Sequence, residues 1–115
     1  MNFKELIVWQ KAVELAKEIY TITKGFPKSE TYGLSSQMQR GAIGIPSNIA
    51  EGHGRNHTGE FIQFLGIAYG CSLELETQII IVKSIYPDLD YSKAESLLIE
   101  IQKMLVTLIR SLRKK

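Results

Sequence analysis

The sequence predicts an all-α protein: an antiparallel, up-down-up-down four-helix bundle that associates with further copies of itself. Apolar residues recur at intervals of three and four along four long stretches, which is the period of a helix face buried in a core. Most of these stretches carry two such seams, so one seam faces the core and the other requires a second surface. Short connections join the stretches and make consecutive helices antiparallel neighbours.

The chain has 115 residues, enough for one domain whose core needs no disulfide or metal. Its one cysteine, Cys71, excludes an internal disulfide and a multi-cysteine metal site, and it fits a reducing compartment. The N-terminal residues lack the apolar run of a signal peptide, and the longest strongly apolar run, residues 79–82, is far shorter than a membrane span. We therefore expect a cytoplasmic protein with no membrane partner.

The first helix is predicted over residues 4–24, with Gly25 just past its end and Pro27 beyond. It carries two complete seams. One consists of Leu6, Trp9, Val13, Ala16 and Tyr20, and the other of Val8, Ala12, Leu15, Ile19 and Ile22. Because Trp9 and Tyr20 lie on a seam, packing explains them better than stacking on nucleic-acid bases. Tyr32, at the start of the second helix, and Tyr69, off the main seam of the third, are less constrained.

The second helix is predicted over residues 32–51 and is the least regular of the four. Pro46 lies inside its apolar pattern and should bend it, since proline removes one backbone hydrogen bond. Small residues around Pro46 would let a neighbouring helix come close. The glycines that follow indicate a loop over residues 52–57.

The third helix is predicted to begin at an N-cap on Thr58 and to end before Pro87. The fourth begins at Ser92, which with Glu95 has the spacing of a capping box. The main seam of the third helix consists of Phe61, Leu65, Ala68, Ser72, Leu75, Ile79, Val82 and Tyr86. The two seams of the fourth consist of Ala94, Leu97, Ile101, Met104 and Leu108, and of Leu98, Leu105, Ile109 and Leu112.

The middle of the chain resembles a known family. The matching stretches are residues 32–37, Arg40, residues 45–52 and 54–55, supported by residues 6–12, 61–70 and 74–78. They are similar to the four-helix-bundle proteins encoded in the intervening sequences of 23S ribosomal RNA genes, also labelled ribosomal protein S23. The resemblance covers residues 3 to 110, and the block at residues 48–52 is its most specific part.

This resemblance implies a bacterial protein that forms a homopentameric ring, has no established enzymatic activity and works in an RNA-associated setting. A similar ring-forming bundle is the accessory protein of diversity-generating retroelements, which assists a reverse transcriptase and its template RNA. The chain departs from the family pattern at Gly41, Gly44 and Cys71. These departures leave the fold prediction intact but weaken any residue-level prediction for a surface on the second helix.

The net charge of +2 is unevenly distributed. From Ile101 to the end there is no acidic residue, and the basic residues are Lys103, Arg110, Arg113, Lys114 and Lys115. This pattern fits either a nucleic-acid contact or a simple complement to the helix dipole. Arg40 and Arg55 form a second group of candidate nucleic-acid-binding residues.

Asn48 and Glu51 are three residues apart and share a helix face beside the apolar stripe. Since a buried carboxylate needs a partner, we expect Arg40 or Arg55 to pair with Glu51, or with Glu74 and Glu76 on the third helix. One interpretation is an internal polar network of Asn48, Glu51, Glu74 and Glu76. The other is a ligand or nucleic-acid site built on the same residues.

No pattern in the chain supplies a catalytic, cofactor or metal site. His53 and His57 lie in the glycine-rich segment, and no glutamate is followed three residues later by histidine, as a di-iron bundle requires. The residues after Gly52 lack the strand and the lysine of a phosphate loop. Cys71 lies on the apolar flank of the third helix, where cysteine behaves as a small hydrophobe.

These observations predict a non-catalytic, self-assembling protein that binds RNA or a nucleoprotein, because a ring would repeat a modest basic patch around its rim. The alternative is a protein–protein scaffold or an accessory subunit for a nucleic-acid enzyme such as a reverse transcriptase.

Overall fold

The computed structural model describes residues 2–114, which form four α-helices. They are α1 (Ile7–Thr23), α2 (Leu34–Gly54), α3 (Thr58–Ile85) and α4 (Ser92–Arg113). Short 3₁₀ turns precede α1 at Phe3–Glu5 and α2 at Lys28–Glu30, and residues 2–114 contain no strand. The predicted all-α class is therefore confirmed.

The four helices form a square in which each helix contacts two neighbours. α1 packs on α2 and α4, and α3 packs on α2 and α4, whereas the backbones of the diagonal pairs stay farther apart. Neighbours run in opposite directions: Gln39, early in α2, donates a hydrogen bond to Thr23 at the end of α1. Likewise Lys83, late in α3, pairs with Glu95, early in α4. The arrangement is the antiparallel bundle that the short connections predict, with extents of 47 × 22 × 20 Å.

One apolar core runs along the axis of the bundle, and it uses the predicted seams unequally. The Val8 seam of α1 is buried throughout, while the Trp9 seam is only partly covered and leaves Tyr20 40% exposed. In α4, by contrast, both seams serve the core, since Leu98 and Leu105 are buried beside Leu97 and Ile101. Exposed large apolar side chains are concentrated on α3, which carries Ile67, Leu73, Ile80, Ile81 and Ile85.

Helices α2 and α3 approach each other most closely, because glycines of α2 face α3. A Cβ at Gly52 would lie 2.5 Å from Cβ of Phe64, and a Cβ at Gly44 would lie 3.2 Å from Sγ of Cys71. Pro46 is buried within α2. The small residues of the second helix thus have the predicted role of admitting a neighbour.

The predicted loop over residues 52–57 is wrong in its first half, since α2 continues to Gly54 and Arg55 is its C-cap. Gly52 is buried against Phe64 and Phe61, so it is selected for close packing and not for chain flexibility. The turn into α3 is made at Asn56, which has a φ of 55°. Asparagine tolerates this left-handed conformation better than most residues.

Helix starts also differ from prediction. Asn2 and Glu5 form a capping box on the first 3₁₀ turn, so α1 begins only at Ile7. At the start of α4 the side-chain acceptor is Oδ1 of Asp90, which accepts hydrogen bonds from the backbone N–H and the hydroxyl of Ser92. The predicted Ser92–Glu95 capping box is therefore absent. At α3 the N-cap position is His57 and not Thr58.

Helix α3 is long and apolar enough, by length and composition, to cross a membrane. A single helix of this kind is weak evidence for a span, because the core helix of a globular bundle passes the same test. Here Leu65, Leu75 and Val82 are fully buried in the bundle, and 33% of the apolar window is buried.

Candidate nucleic-acid interface

The second half of α4 presents a basic stripe to solvent. Lys103, Val106, Arg110 and Arg113 are separated by three, four and three residues, so they share one face of the helix. The opposite face carries Ile101 and the other core residues, which fixes the orientation of the stripe. The three cations are exposed.

This stripe borders Tyr69 of α3. Two adjoining surface clefts between α3 and α4, of about 450 and 350 Å³, share Tyr69 and Val106. We call them together the basic cleft, and its lining residues are Gly66, Tyr69, Gln102, Lys103, Val106, Thr107, Ile109, Arg110 and Arg113. No acidic side chain among residues 2–114 lines it.

The basic cleft combines the groups that single-stranded nucleic acid requires. Lys103, Arg110 and Arg113 supply cations for phosphates, and the half-buried ring of Tyr69 supplies a face on which a base could stack. Gln102 and Thr107 add neutral hydrogen-bonding groups. A Cβ added at Gly66 would meet no heavy atom within 4 Å, so the wall beside Tyr69 is open.

The other predicted basic residues lie outside the cleft. Arg55 is engaged by carboxylates, with N–O distances of 3.0 Å to Glu51 and 3.5 Å to Glu60, and its guanidinium lies 5.1 Å from the Phe64 ring centroid. Arg40 lies on the first half of α2, away from the cleft. Lys114 is the exposed C-cap of α4, and Lys115 lies outside the described residues.

The predicted polar network is not formed. The amide of Asn48 donates to the carbonyl of Gly44 one turn earlier in its own helix, at 2.7 Å. Glu51 is exposed and paired locally with Arg55. The reason is register: position 51 points away from α3.

The two glutamates of α3 are also outside any such network. Glu76 accepts a hydrogen bond from Gln102 of α4 at 2.9 Å. Glu74 is exposed on the outer side of α3. The four residues therefore have no common buried centre.

The two further candidates from the sequence are the histidines near the end of α2 and Cys71. His53 packs edge-on against Phe61, and no group of three or more His, Cys, Asp or Glu within residues 2–114 could hold a metal ion. Burial, with a smaller contribution from the carboxylate of Glu74, raises the pKa of the Cys71 thiol. A raised thiol pKa disfavours the nucleophilic thiolate.

Sequence reasoning predicted Lys103, Arg110 and Arg113 as nucleic-acid-binding residues and left Tyr69 as an aromatic ring outside the main seam of the third helix. It did not place Tyr69 or Gln102 beside those cations. Tyr69 and Gln102 join the site only through the packing register of α3 on α4. The available signal was the spacing of the α4 cations, which indicates a stripe between two core seams.

Comparison with known proteins gives a family and a fold. The model of the 23S rRNA-intervening sequence protein family matches residues 4–107, so the chain belongs to this family. The crystal structure of a protein of unknown function from the S23 ribosomal protein family of Bacteroides thetaiotaomicron is similar, with a TM-score of 0.75 and 25% identity. The match covers 90% of this chain and 98% of that one. No curated protein matches the chain.

Proposed function

We propose that this member of the 23S rRNA-intervening sequence protein family is a non-catalytic, homo-oligomeric cytoplasmic protein that binds single-stranded RNA in the basic cleft. The observation that carries the proposal is the juxtaposition of Tyr69 with Lys103, Arg110 and Arg113 in a cleft lined by no acid among residues 2–114. The family description supports RNA as the nucleic acid, since it places these proteins in the context of 23S rRNA.

Single-stranded RNA suits the cleft better than a duplex. One tyrosine ring can stack on an unpaired base only when that base is splayed out of a helix. The cations follow one helix face over three turns of α4 and can track a backbone. Three cations on one copy give weak binding, so repetition of the cleft in an oligomer would raise the avidity.

The test compares two double variants with the same loss of charge. Arg110→Ala/Arg113→Ala removes cations from the cleft, and Lys28→Ala/Arg40→Ala removes two cations near the opposite end of the bundle. Fluorescence anisotropy with labelled single-stranded RNA should show a large affinity loss only for the first variant. Arg110→Ala/Arg113→Ala should also make the plot of log association constant against log salt concentration less steep. The slope should fall by about 1.4, at about 0.7 per lost phosphate contact.

Tyr69→Ala separates stacking from charge. It should weaken RNA binding by about 5- to 150-fold, equivalent to about 1–3 kcal/mol for one stacked base, without changing the salt slope. Equal losses for the two double variants, or an unchanged affinity for Tyr69→Ala, would contradict the placement of RNA in the basic cleft.

A further inference from the structure

We infer that the basic cleft prefers an RNA base with an exocyclic amino group, cytosine or adenine, over uracil. Gln102 makes this distinction, and Glu76 holds the Gln102 amide in the orientation that the distinction requires. The inference rests on the proposed function and concerns the base that stacks on Tyr69. It follows from the position of one side chain, from the chemistry of its partner, and from the polar atom that the partnership leaves over.

Gln102 lies where the basic cleft meets a second groove between α3 and α4. It lines the cleft together with Tyr69, and it also lines a groove of about 150 Å³ to which Glu76 contributes. Among residues 2–114, Gln102 alone lines both. Its side chain is half-buried, so the amide is held between the two surfaces and stays open to solvent.

The partner of Gln102 determines which end of the amide faces which surface. Nε2 of Gln102 donates a hydrogen bond to Oε1 of Glu76 at 2.9 Å. An ionised carboxylate only accepts hydrogen bonds, so the NH₂ end of the amide must face Glu76. The reverse orientation would bring two acceptor oxygens together and lose the hydrogen bond. Glu76 therefore fixes the orientation of the Gln102 amide.

This orientation leaves the carbonyl oxygen of the amide for the basic cleft. Nε2 is directed toward the groove that Glu76 lines, and Oε1 occupies the other branch of the planar amide. No group of residues 2–114 donates a hydrogen bond to this oxygen. A half-buried acceptor without a protein partner takes its donor from water or from a ligand. The basic cleft thus presents an unused acceptor beside its aromatic ring.

The acceptor lies at the level where a base stacked on Tyr69 presents its edge. Tyr69 and Val106 belong to both parts of the cleft, and Gln102 precedes Val106 by four residues on α4. One helical turn rises about 5.4 Å, so the amide lies about one turn along the cleft from the ring. A base that covers the Tyr69 ring therefore directs one edge toward Gln102.

An acceptor at this position selects bases by the groups on their edges. Cytosine and adenine carry an exocyclic amino group, which donates, whereas uracil has a carbonyl oxygen where cytosine has its amino group. Against Oε1 of Gln102 the uracil oxygen would place acceptor on acceptor, and the Glu76 carboxylate behind the amide adds to the repulsion. Single-stranded RNA leaves these edges unpaired, so the amino group is available to the amide.

The remaining polar groups of the cleft do not make this distinction. The hydroxyl of Thr107 donates or accepts according to its rotation and suits either base. Lys103, Arg110 and Arg113 are exposed cations, which pair with the phosphates common to every RNA sequence. The base preference therefore depends on Gln102, and Glu76 is its positioning residue.

The experiment compares oligocytidylate with oligouridylate of equal length by fluorescence anisotropy at neutral pH. Both bases are single rings and both probes carry the same charge, so the probes differ mainly in the edge that faces Gln102. Wild-type protein should bind oligocytidylate about 2- to 10-fold more tightly, as expected for one hydrogen bond. A probe whose cytosine amino groups are dimethylated has no hydrogen to donate there and should bind no more tightly than oligouridylate.

Three variants separate base reading from charge. Gln102→Leu removes the amide and should bring the ratio of the two affinities close to one. Glu76→Gln should also lower the ratio, because the substituted amide donates as well as accepts and no longer fixes Gln102. Glu95→Gln is the control: it removes the same charge from the same groove, where Glu95 pairs with Lys83, and should keep the wild-type ratio. Circular dichroism checks that each variant is folded.

The outcomes distinguish this inference from the proposed function. Equal wild-type affinities for the two probes, both still reduced by Tyr69→Ala, would overturn the inference alone. A preference that survives Gln102→Leu, or that Glu95→Gln reduces as much as Glu76→Gln does, would overturn the roles assigned to these residues. Absence of RNA binding, or an affinity that Tyr69→Ala leaves unchanged, would overturn the proposed function and this inference with it.

Discussion

The two halves of the α3–α4 side show how one helix pair can carry two different surfaces. Toward the α2–α3 connection, Tyr69 and Arg110 belong to the basic cleft. Toward the α3–α4 connection, Ile80 and Glu95 line a groove of about 150 Å³, which we call the acidic groove. Gln102 lines both and marks the boundary. Both helices run unbroken across this boundary, so the difference lies in the side chains.

The helix dipole accounts for part of this separation. An acidic residue in the first turn of α4, such as Glu95, and a basic residue in its last turn, such as Arg110, each stabilise the helix by about 0.3–1 kcal/mol. The dipole does not require an aromatic ring beside the cations or exposed isoleucines beside the acids. The helix dipole therefore does not account for the full difference between the two surfaces.

The largest expected effect comes from reversing the charges of the basic cleft. Lys103→Glu/Arg110→Glu/Arg113→Glu should abolish RNA binding, a loss of at least about 100-fold if three phosphate contacts are replaced by repulsion. The variant should fold as the wild type does, since all three side chains are exposed. Fluorescence anisotropy checks the affinity, and circular dichroism on the same preparation checks the helical content. An unchanged RNA affinity in the folded variant would contradict the proposed role of these cations.

The next largest effect distinguishes two adjacent residues that line the acidic groove, Leu98 and Ile99. Leu98 is buried, so Leu98→Ala should lower the free energy of unfolding by about 2–5 kcal/mol, as expected for a core truncation. Ile99 is 55% exposed, so Ile99→Ala should leave the stability of the single bundle within about 0.5 kcal/mol. Urea denaturation under conditions that keep both variants monomeric checks this. A large loss for Ile99→Ala would mean that its side chain belongs to the core.

A smaller effect tests the close packing of α2 on α3. This packing sets the register of α3 and so the position of the basic cleft. Gly52→Ala places a methyl group against Phe64 and should destabilise the bundle by about 1–3 kcal/mol through overpacking. Gly54→Ala, in the same final turn of α2, meets no atom within 4 Å and should be stabilising by a few tenths to about 1 kcal/mol. Thermal denaturation of the pair gives the comparison. Equal effects would show that close packing does not select glycine at position 52.

Sequence reasoning succeeded where the information is local. Periodicity located all four helices, and the spacing of Arg110 and Arg113 indicated that they share one exposed face of α4. It failed where a residue's role depends on a neighbouring helix. Gly52 resembles a helix terminator in sequence but is a contact residue, and Glu51 is solvent-exposed because α2 presents the other side to α3.

The same limit applies to the site and the assembly. Tyr69 joins the basic cleft only once α3 and α4 are in register, which no local pattern encodes. The second seam of α1 did indicate uncovered apolar surface, whereas that of α4 proved to be core. The ring, and its five members, stay a prediction.

The smallest effect concerns Asp90, which lies just before the first residue of α4. Oδ1 of Asp90 accepts hydrogen bonds from the hydroxyl of Ser92 at 2.7 Å and from its backbone N–H at 3.0 Å. These bonds hold the pKa of the Asp90 carboxyl below its ordinary value. A carboxyl whose pKa is lower in the folded state stabilises it above the unfolded pKa of about 3.9 and loses that contribution as pH falls through the lower value.

Wild-type protein should therefore melt at a slightly higher temperature than Asp90→Asn at neutral pH, and the two melting curves should converge below about pH 3. Asp88→Asn removes the same charge two residues away without touching Ser92 and should lack this pH-dependent gap. Circular dichroism melts across this range check both variants. A gap that persists unchanged into acid would mean that the anionic form of Asp90 does not contribute to the cap.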